Sequence, residues 1–94
     1  MVNRCRLHSA LVRKSLYTDG QRRVAETIRE MRLAANLTQR ELAARLGRPL
    51  NVVSRIESAQ RRVDLLEWIA LCDACGVNSV EAGRQLLQAL SGRE

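Results

Sequence analysis

The stretch LTQRELAARLGRPLNVVSRIE, residues 37–57, predicts two short helices joined by a tight turn. Thr38 and Glu41 have the spacing of a capping box, which predicts the start of the first helix. Gly47 is placed to end that helix, because glycine adopts the left-handed conformation without steric cost. Pro49 is placed to open the second helix, where the N–H that proline lacks is not needed.

Apolar residues recur on one face of each of these two helices. The first has Leu42, Ala43 and Leu46, and the second has Val52, Val53 and Ile56. The second helix carries its other residues mainly on the opposite side: Leu50, Asn51, Ser54 and Arg55. A small domain that presents such a helix after a tight turn is built to place side chains in the major groove of DNA.

A longer helix is predicted upstream, ending near Ala35 and capped by Thr18 or Asp19. Asn36 is placed to terminate it in the left-handed conformation. Its core-facing positions are Val24, Ile28, Met31 and Ala35. Residues 1–17 are basic and partly amphipathic, and they read either as a tail or as a short extra helix.

Two further helices are predicted downstream. Asp64 and Glu67 mark the start of one and Gly76 its end, and Asn78 with Glu81 marks the start of the last. The former is apolar almost all round, which predicts a central place in the core; its apolar residues are Leu65, Leu66, Trp68, Ile69, Leu71, Cys72 and Cys75. The sequence has no alternating strand pattern, so the predicted fold class is all-α, a compact five-helix domain.

This pattern resembles the lambda-repressor-like, Cro-type helix-turn-helix domains, also called the xenobiotic-response-element type. The residues LTQ-EL-A-LG followed by V-SRIE have their apolar, small and glycine positions in that register, and the resemblance covers roughly residues 20–80. It implies a DNA-binding domain over residues 18–94, with the helix-turn-helix at about 38–58. It also implies an internal ion pair between Arg32 and Glu57.

The resemblance further implies which residues meet double-stranded DNA. Gln39 reaches a phosphate, and the helix cap Thr38 beside it is also among the expected DNA-binding residues. Base edges in the major groove are read through Asn51, Ser54 and Arg55, where asparagine suits adenine and arginine suits guanine. Leu50 replaces the usual polar residue, so it contacts a thymine methyl, packs against a partner subunit or is simply exposed.

Arginines flank the second helix of the motif and are candidates to hold phosphates: Arg48, Arg61 and Arg62. Arg40 and Arg45, on the helix before the turn, add more distant charge. For each of these arginines, a solvated surface position is nearly as good an interpretation.

The charge distribution agrees with a polyanionic partner. The net charge is +6 and the sequence pI is about 10.6. Residues 1–64 carry 14 Lys+Arg against 6 Asp+Glu, whereas residues 65–94 carry 2 against 4, so the basic part is the part with the motif. Phe is absent and aromatic residues are 2%, which argues against the stacking platforms of single-strand binders. No apolar run reaches the length of a membrane span, and no signal peptide is evident, so we expect a cytoplasmic protein.

The cysteines allow a weak alternative. Cys72 and Cys75 form a C-x-x-C pair, and Cys5 with His8 has the same spacing, as zinc ligands can. The first pair lies in an apolar helix, where a buried free cysteine is the simpler interpretation. We therefore expect no metal, no cofactor and no small-molecule ligand. A single histidine and the lack of a nucleophile–base pair or glycine-rich phosphate loop argue against an enzyme.

The functional prediction is a transcriptional regulator, a repressor or autoregulator, that acts as a homodimer on a pseudo-palindromic operator. The last helix offers a dimerisation surface through Val80, Leu86, Leu87 and Leu90, unless these residues complete the core of the monomer. Two alternatives stay open. One is an antitoxin-type module that also binds a toxin; the other is a controller of a restriction–modification or phage module. RNA polymerase is a further possible protein partner.

Overall fold

The computed structural model describes residues 16–91, and in that range it contains five α-helices and no β-strand. The helices are α1 (Gln21–Ala34), α2 (Gln39–Leu46), α3 (Leu50–Glu57), α4 (Leu65–Cys75) and α5 (Ser79–Ser91). This confirms the all-α, five-helix prediction. The predictions for residues 1–15, including the Cys5–His8 pair, lie outside the described residues.

The start of α1 differs from the prediction. A π-helical turn, Leu16–Gly20, runs directly into α1, and Gly20 itself has right-handed helical angles with no side chain bound as a cap. Neither Thr18 nor Asp19 therefore caps the helix, and that prediction is wrong. The upstream turn already supplies backbone acceptors to amides that a cap would otherwise satisfy.

The core forms where α1 to α4 meet, and α5 packs on its edge. Ile28, on the predicted core face of α1, is fully buried, while Val24, Met31 and Ala35 pack against the core from partly buried positions. Ala43, on the predicted apolar face of α2, is buried. The residues of the core cluster are Ile28, Leu37, Leu42, Ala43, Val53, Ile56, Trp68, Leu71 and Cys72.

Helix α4 buries only one of its faces. Trp68, Leu71 and Cys72 are buried, but Leu65 and Leu66 keep 76% and 77% of their surface exposed. Ile69 is also exposed. Helix α4 therefore takes its predicted place in the core through one face only, because the other helices cover one side of α4 and leave Leu65, Leu66 and Ile69 in solvent.

Helix α5 is held against α4 through a tryptophan. The indole Nε1–H of Trp68 donates to the backbone carbonyl of Ser79 at 3.1 Å. A Cβ at Gly83 would lie 3.2 Å from the same nitrogen, so the absence of a side chain at Gly83 permits the close approach. Within the described residues, no helix is both long and apolar enough to span a membrane.

Candidate nucleic-acid interface

Local hydrogen bonds define the turn between α2 and α3. The Thr38 hydroxyl accepts from the Glu41 N–H at 3.0 Å, and the Glu41 carboxylate accepts from the Thr38 N–H at 2.8 Å, which completes the predicted capping box. Gly47 ends α2 with φ 67°. Pro49 is extended and caps α3 rather than opening it, so α3 begins one residue later than predicted, at Leu50.

Helix α3 has one buried and one exposed face. Val53 and Ile56 are buried, and they anchor the helix in the core. Asn51 and Arg55 are exposed on the opposite side. Ser54 and Leu50 are half-buried, and the Ser54 hydroxyl donates to the Leu50 carbonyl at 3.4 Å, a long bond within the helix. The exposed polar face is therefore held on a rigid base.

A buried ion pair joins α1 to the end of α3. Arg32 Nε donates to Glu57 Oε2 at 2.7 Å and Arg32 Nη2 to Glu57 Oε1 at 3.0 Å. The two side chains are only 9% and 3% exposed. Arg32 Nη1 also donates to the Leu37 carbonyl at 2.8 Å, so the guanidinium is bound on three sides. The hydrogen bond to Glu57 is the main cause of the raised pKa of Arg32.

Gln39 is tied to the same pair. Its Nε2 donates to Glu57 Oε1 at 3.0 Å, so the side chain that the resemblance assigns to a phosphate is oriented by the last residue of α3. One N–H and the amide oxygen of Gln39 remain to bind an external group. The hydrogen bond fixes the position of the amide at the start of α2 and does not prevent a phosphate contact.

The three flanking arginines differ in their surroundings. Arg61 makes two hydrogen bonds to the Glu67 carboxylate, from Nη1 at 3.0 Å and from Nη2 at 2.7 Å. Arg48 is exposed, and its Nη1 lies 3.8 Å from Glu67 Oε2. Arg62 is also exposed, with its guanidinium carbon 5.0 Å from the centre of the Tyr17 ring. Arg48 and Arg62 are accordingly more accessible to phosphates than Arg61.

The two arginines of α2 separate in a similar way. Arg40 is exposed, whereas Arg45 donates from Nη1 to the carbonyl of Ala74 at 2.8 Å. Arg45 therefore binds a carbonyl in the last turn of α4, where a positive charge is favourable. Its role in the structure is to join α2 to α4.

The four predicted dimerisation residues fall into two pairs. Val80 and Leu87 are 79% and 64% exposed, and their spacing of seven places them on one face of α5. Leu86 and Leu90 are half-buried, and Leu86 packs against the core of the same protomer. Leu86 and Leu90 thus fit the alternative that part of α5 completes the monomer.

The cysteine pair of α4 has the environment of core residues. Cys72 is buried, and burial raises the pKa of its thiol to about 11; burial also raises the pKa of the Cys75 thiol. Burial in the apolar core thus disfavours the thiolate form of both side chains. No cluster of three or more His, Cys, Asp or Glu side chains suited to a metal lies within residues 16–91.

Sequence patterns did not reveal the contacts of Glu67. The sequence marked Glu67 only as the partner of Asp64 in a capping box, and the structure contains that box. Its ion pairs with Arg61 and Arg48 join residues at separations that no helical or strand periodicity predicts. The contact of Gln39 with Glu57 was missed for the same reason.

Comparison with known proteins agrees with this architecture. A family model of the helix-turn-helix domain matches residues 23–87. An XRE-family like protein from Pseudomonas syringae pv. tomato str. DC3000 has a similar structure, with a TM-score of 0.75 and 35% sequence identity over 84% of this chain and 95% of that chain. The restriction-modification controller protein C.AhdI from Aeromonas hydrophila is also similar, with a TM-score of 0.63 and 28% identity over 68% of this chain and 97% of that chain. None of the curated proteins matches the sequence significantly.

The family match covers all five helices in part or in full, and it includes the whole of α2, the turn and α3. The features on which the sequence resemblance rested, namely the capping box, the left-handed Gly47 and the two-faced α3, are present in the structure. This family consists of DNA-binding regulators and is not an enzyme class. The chain therefore belongs to the helix-turn-helix family, in its Cro/XRE type, and is a DNA-binding regulator.

Proposed function

We propose that the chain is a sequence-specific repressor that binds a pseudo-palindromic operator as a homodimer and regulates its own gene. The observation that carries this proposal is the exposed face of α3. Asn51 and Arg55 project from a helix whose opposite face is fixed by Val53 and Ile56 in the core. Such a helix enters the major groove without reorganisation, and asparagine and arginine are suited to adenine and guanine edges.

Contacts to the DNA backbone would surround that helix. Gln39 lies at the start of α2, where free backbone N–H groups attract an anion. Arg48 precedes α3, and Arg62 follows it; both side chains are exposed. Phosphate contacts of this kind give affinity and orientation, whereas the base contacts of α3 give sequence preference.

The short length of α3 favours a homodimer. One α3 reaches only a few base pairs, and two copies related by symmetry read an inverted repeat. The protomer leaves apolar side chains exposed on α4 and α5, the two helices that meet where Trp68 packs against Gly83. We propose that a second copy covers these residues: Leu65, Leu66, Ile69, Val80 and Leu87.

The test is binding to the DNA upstream of the protein's own gene, searched for an inverted repeat. Arg55→Ala should weaken operator binding by about 1–3 kcal/mol and relax the preference at one base position in each half-site. Arg62→Ala should weaken all DNA about equally and reduce the slope of log affinity against log salt by about one unit per lost contact. The measurement is fluorescence anisotropy with the operator and with single-base variants of it.

Arg84→Ala is the matched control, because it removes one arginine from α5, where Arg84 pairs with Glu81. Because Arg84 lies on α5 and not near α3, the variant should leave the base preference at that of the wild type. Wild-type affinity should fall roughly 10³–10⁵-fold between 50 and 200 mM salt if a dimer makes about six to ten phosphate contacts. A changed base preference in Arg62→Ala together with an unchanged one in Arg55→Ala would contradict the placement of α3.

A second candidate function is control of a restriction–modification module. It is favoured by the structural similarity to C.AhdI, which is described as a restriction-modification controller protein. The mode of DNA binding would be the same, and the difference lies in the regulated genes. Adjacent genes for a DNA methyltransferase and an endonuclease would support this candidate, and their absence would favour the general repressor.

A further inference from the structure

The Glu67 carboxylate lies between two of the arginines that flank α3. Its Oε2 is 2.7 Å from Arg61 Nη2 and 3.8 Å from Arg48 Nη1. Arg48 precedes α3 and Arg61 follows it, so the carboxylate joins the two ends of this helix from its place on α4. Two guanidinium groups that converge on one anion form the kind of site that a DNA phosphate also fits.

The two arginines are held with different strength. Arg61 is bound through two nitrogens, and its side chain is 32% exposed. Arg48 has one longer contact, and its side chain is 45% exposed. Glu67 is itself fixed, because its carboxylate also accepts from the Asp64 N–H at 3.2 Å in the capping box of α4. Arg48 is therefore the group that can leave this cluster at least cost.

We propose that Glu67 competes with the DNA backbone for Arg48 and thereby lowers the affinity of the protein for DNA of any sequence. In the free protein Glu67 partly neutralises Arg48, and on DNA a phosphate takes its place. Arg61 remains on Glu67 throughout, so Arg61 is a positioning residue and not a phosphate contact. This inference rests on the proposed binding of α3 to DNA.

The charge state of Glu67 supports the competition. The hydrogen bond from Arg61 holds the pKa of Glu67 below its ordinary value, so the carboxylate is ionised near neutral pH. A full negative charge then lies beside Arg48 whenever DNA approaches. Removing that charge while keeping the shape of the side chain should strengthen the contact between Arg48 and phosphate.

Glu67→Gln is the decisive variant, since glutamine also serves at the third position of a capping box. Glu81→Gln is its matched control. Glu81 is likewise the third residue of its helix and pairs with an arginine, Arg84, at 2.7 Å. Both substitutions replace a glutamate by a glutamine, so they change the net charge equally. Affinity is measured by fluorescence anisotropy on the operator and on an unrelated duplex, over a series of salt concentrations.

Glu67→Gln should bind both duplexes about three- to tenfold more tightly than Glu81→Gln does, with a salt slope steeper by up to about 0.9 per protomer. The preference for the operator over the unrelated duplex should not change. Equal affinities of the two variants would overturn the inference while leaving the proposed function intact. Absence of DNA binding by the wild type would overturn both.

A double-mutant cycle tests whether the effect of Glu67→Gln acts through Arg48. Glu67→Gln should increase the affinity for DNA in the presence of Arg48 but not in the Arg48→Ala background. An increase in affinity that persists in the Arg48→Ala background would overturn the inference. A measurement on the wild type covers the case in which Glu67→Gln fails to fold. The Nε resonance of Arg48 should shift when DNA is added while that of Arg61 stays, and an unchanged Arg48 resonance would overturn the inference.

Discussion

Arg32 shows how a small domain tolerates a charge in its core. Its guanidinium is bound by both oxygens of Glu57 and by the Leu37 carbonyl, and Gln39 shares one of those oxygens. A buried charge is costly unless it is paired and its hydrogen bonds are satisfied, and here both conditions hold. The network joins α1, the start of α2 and the end of α3, so it fixes the angle at which α3 leaves the core.

Arg32→Ala and Glu57→Ala should each destabilise the fold by about 3–5 kcal/mol, because each strands a buried charge. The double variant should lose less free energy of unfolding than the two single variants lose together, since the second substitution removes the stranded charge. Urea denaturation followed by circular dichroism gives the free energies of unfolding for this double-mutant cycle.

The surface pair of Arg84 and Glu81 provides the comparison for this cycle. Its side chains are 57% and 52% exposed. Arg84→Ala should therefore change the free energy of unfolding by at most about 1 kcal/mol. Simple additivity of Arg32→Ala and Glu57→Ala would show that the buried pair does not act as one unit.

At the scale of the element, the ends of the helices are set by residues in the left-handed region. Gly47 ends α2 and Gly76 ends α4, at φ 67° and φ 74°. Asn36 follows α1 at φ 60°, and Ala59 follows α3 at φ 63°. The Cβ of an alanine makes the left-handed conformation sterically costly, whereas glycine avoids this cost. Ala59 therefore holds a strained backbone.

Opposite substitutions at Gly47 and Ala59 should have opposite effects. Gly47→Ala should destabilise by about 1 kcal/mol, because a Cβ there meets no atom within 4 Å and only the backbone strain remains. Ala59→Gly should stabilise by up to about 1 kcal/mol, because relief of strain outweighs the greater freedom of the unfolded chain. Thermal unfolding measures the change in stability of each variant. If Ala59→Gly lost as much stability as Gly47→Ala, the left-handed conformation of Ala59 would be contradicted.

Acid should weaken the connection between α4 and the segment after α3. The pKa of Glu67 is lowered in the folded state, chiefly by the hydrogen bond from Arg61. Its contribution to stability is therefore present above its unfolded pKa and is lost as the pH falls through the lower folded value. Between about pH 5 and pH 3, the melting temperature of the wild type should fall more steeply than that of Glu67→Gln. If the melting temperatures of the wild type and of Glu67→Gln fell in parallel with pH, the Glu67 carboxylate would add no stability.

The helix ends that the sequence predicted are those governed by neighbouring residues. The capping boxes at Thr38 and Asp64 and the left-handed Gly47 depend on residues within about one turn, and the structure contains all three. The start of α1 depended instead on helical backbone upstream of Gly20, which no capping residue signals. The exposed face of α4 depended on how much surface the other helices cover, and that is a property of the assembled domain.

At the scale of the whole molecule, the exposed apolar residues of α4 and α5 are the side chains that we propose a second copy covers. Leu87→Glu should shift a wild-type dimer towards monomer in sedimentation velocity at micromolar concentration, because it places a charge where the second copy would pack. Leu33→Glu changes an exposed leucine of α1 and is the matched control. It should leave the equilibrium between dimer and monomer unchanged. A wild type that stays monomeric would contradict the proposed dimer.

The candidate site was predictable to the extent that one helix carries it. Asn51 and Arg55 follow from the periodicity of α3 together with the family resemblance, and both are exposed in the structure. The surroundings of Arg61 and Gln39 were not predictable, since each is set by a glutamate on another helix. A sequence pattern identifies side chains that face outward, but the pairing of charges depends on distances between helices.

The division of α3 into two faces also bears on protein engineering. Its outward positions are Leu50, Asn51, Ser54 and Arg55, and Arg55 makes no ion pair with the rest of the described chain. The anchoring positions, Val53, Ile56 and Glu57, hold the helix in the core and to Arg32. Residues of a relative's recognition surface can therefore be transplanted onto the first set while the second is kept. The domain would then serve as an exchangeable scaffold whose sequence preference changes and whose stability does not.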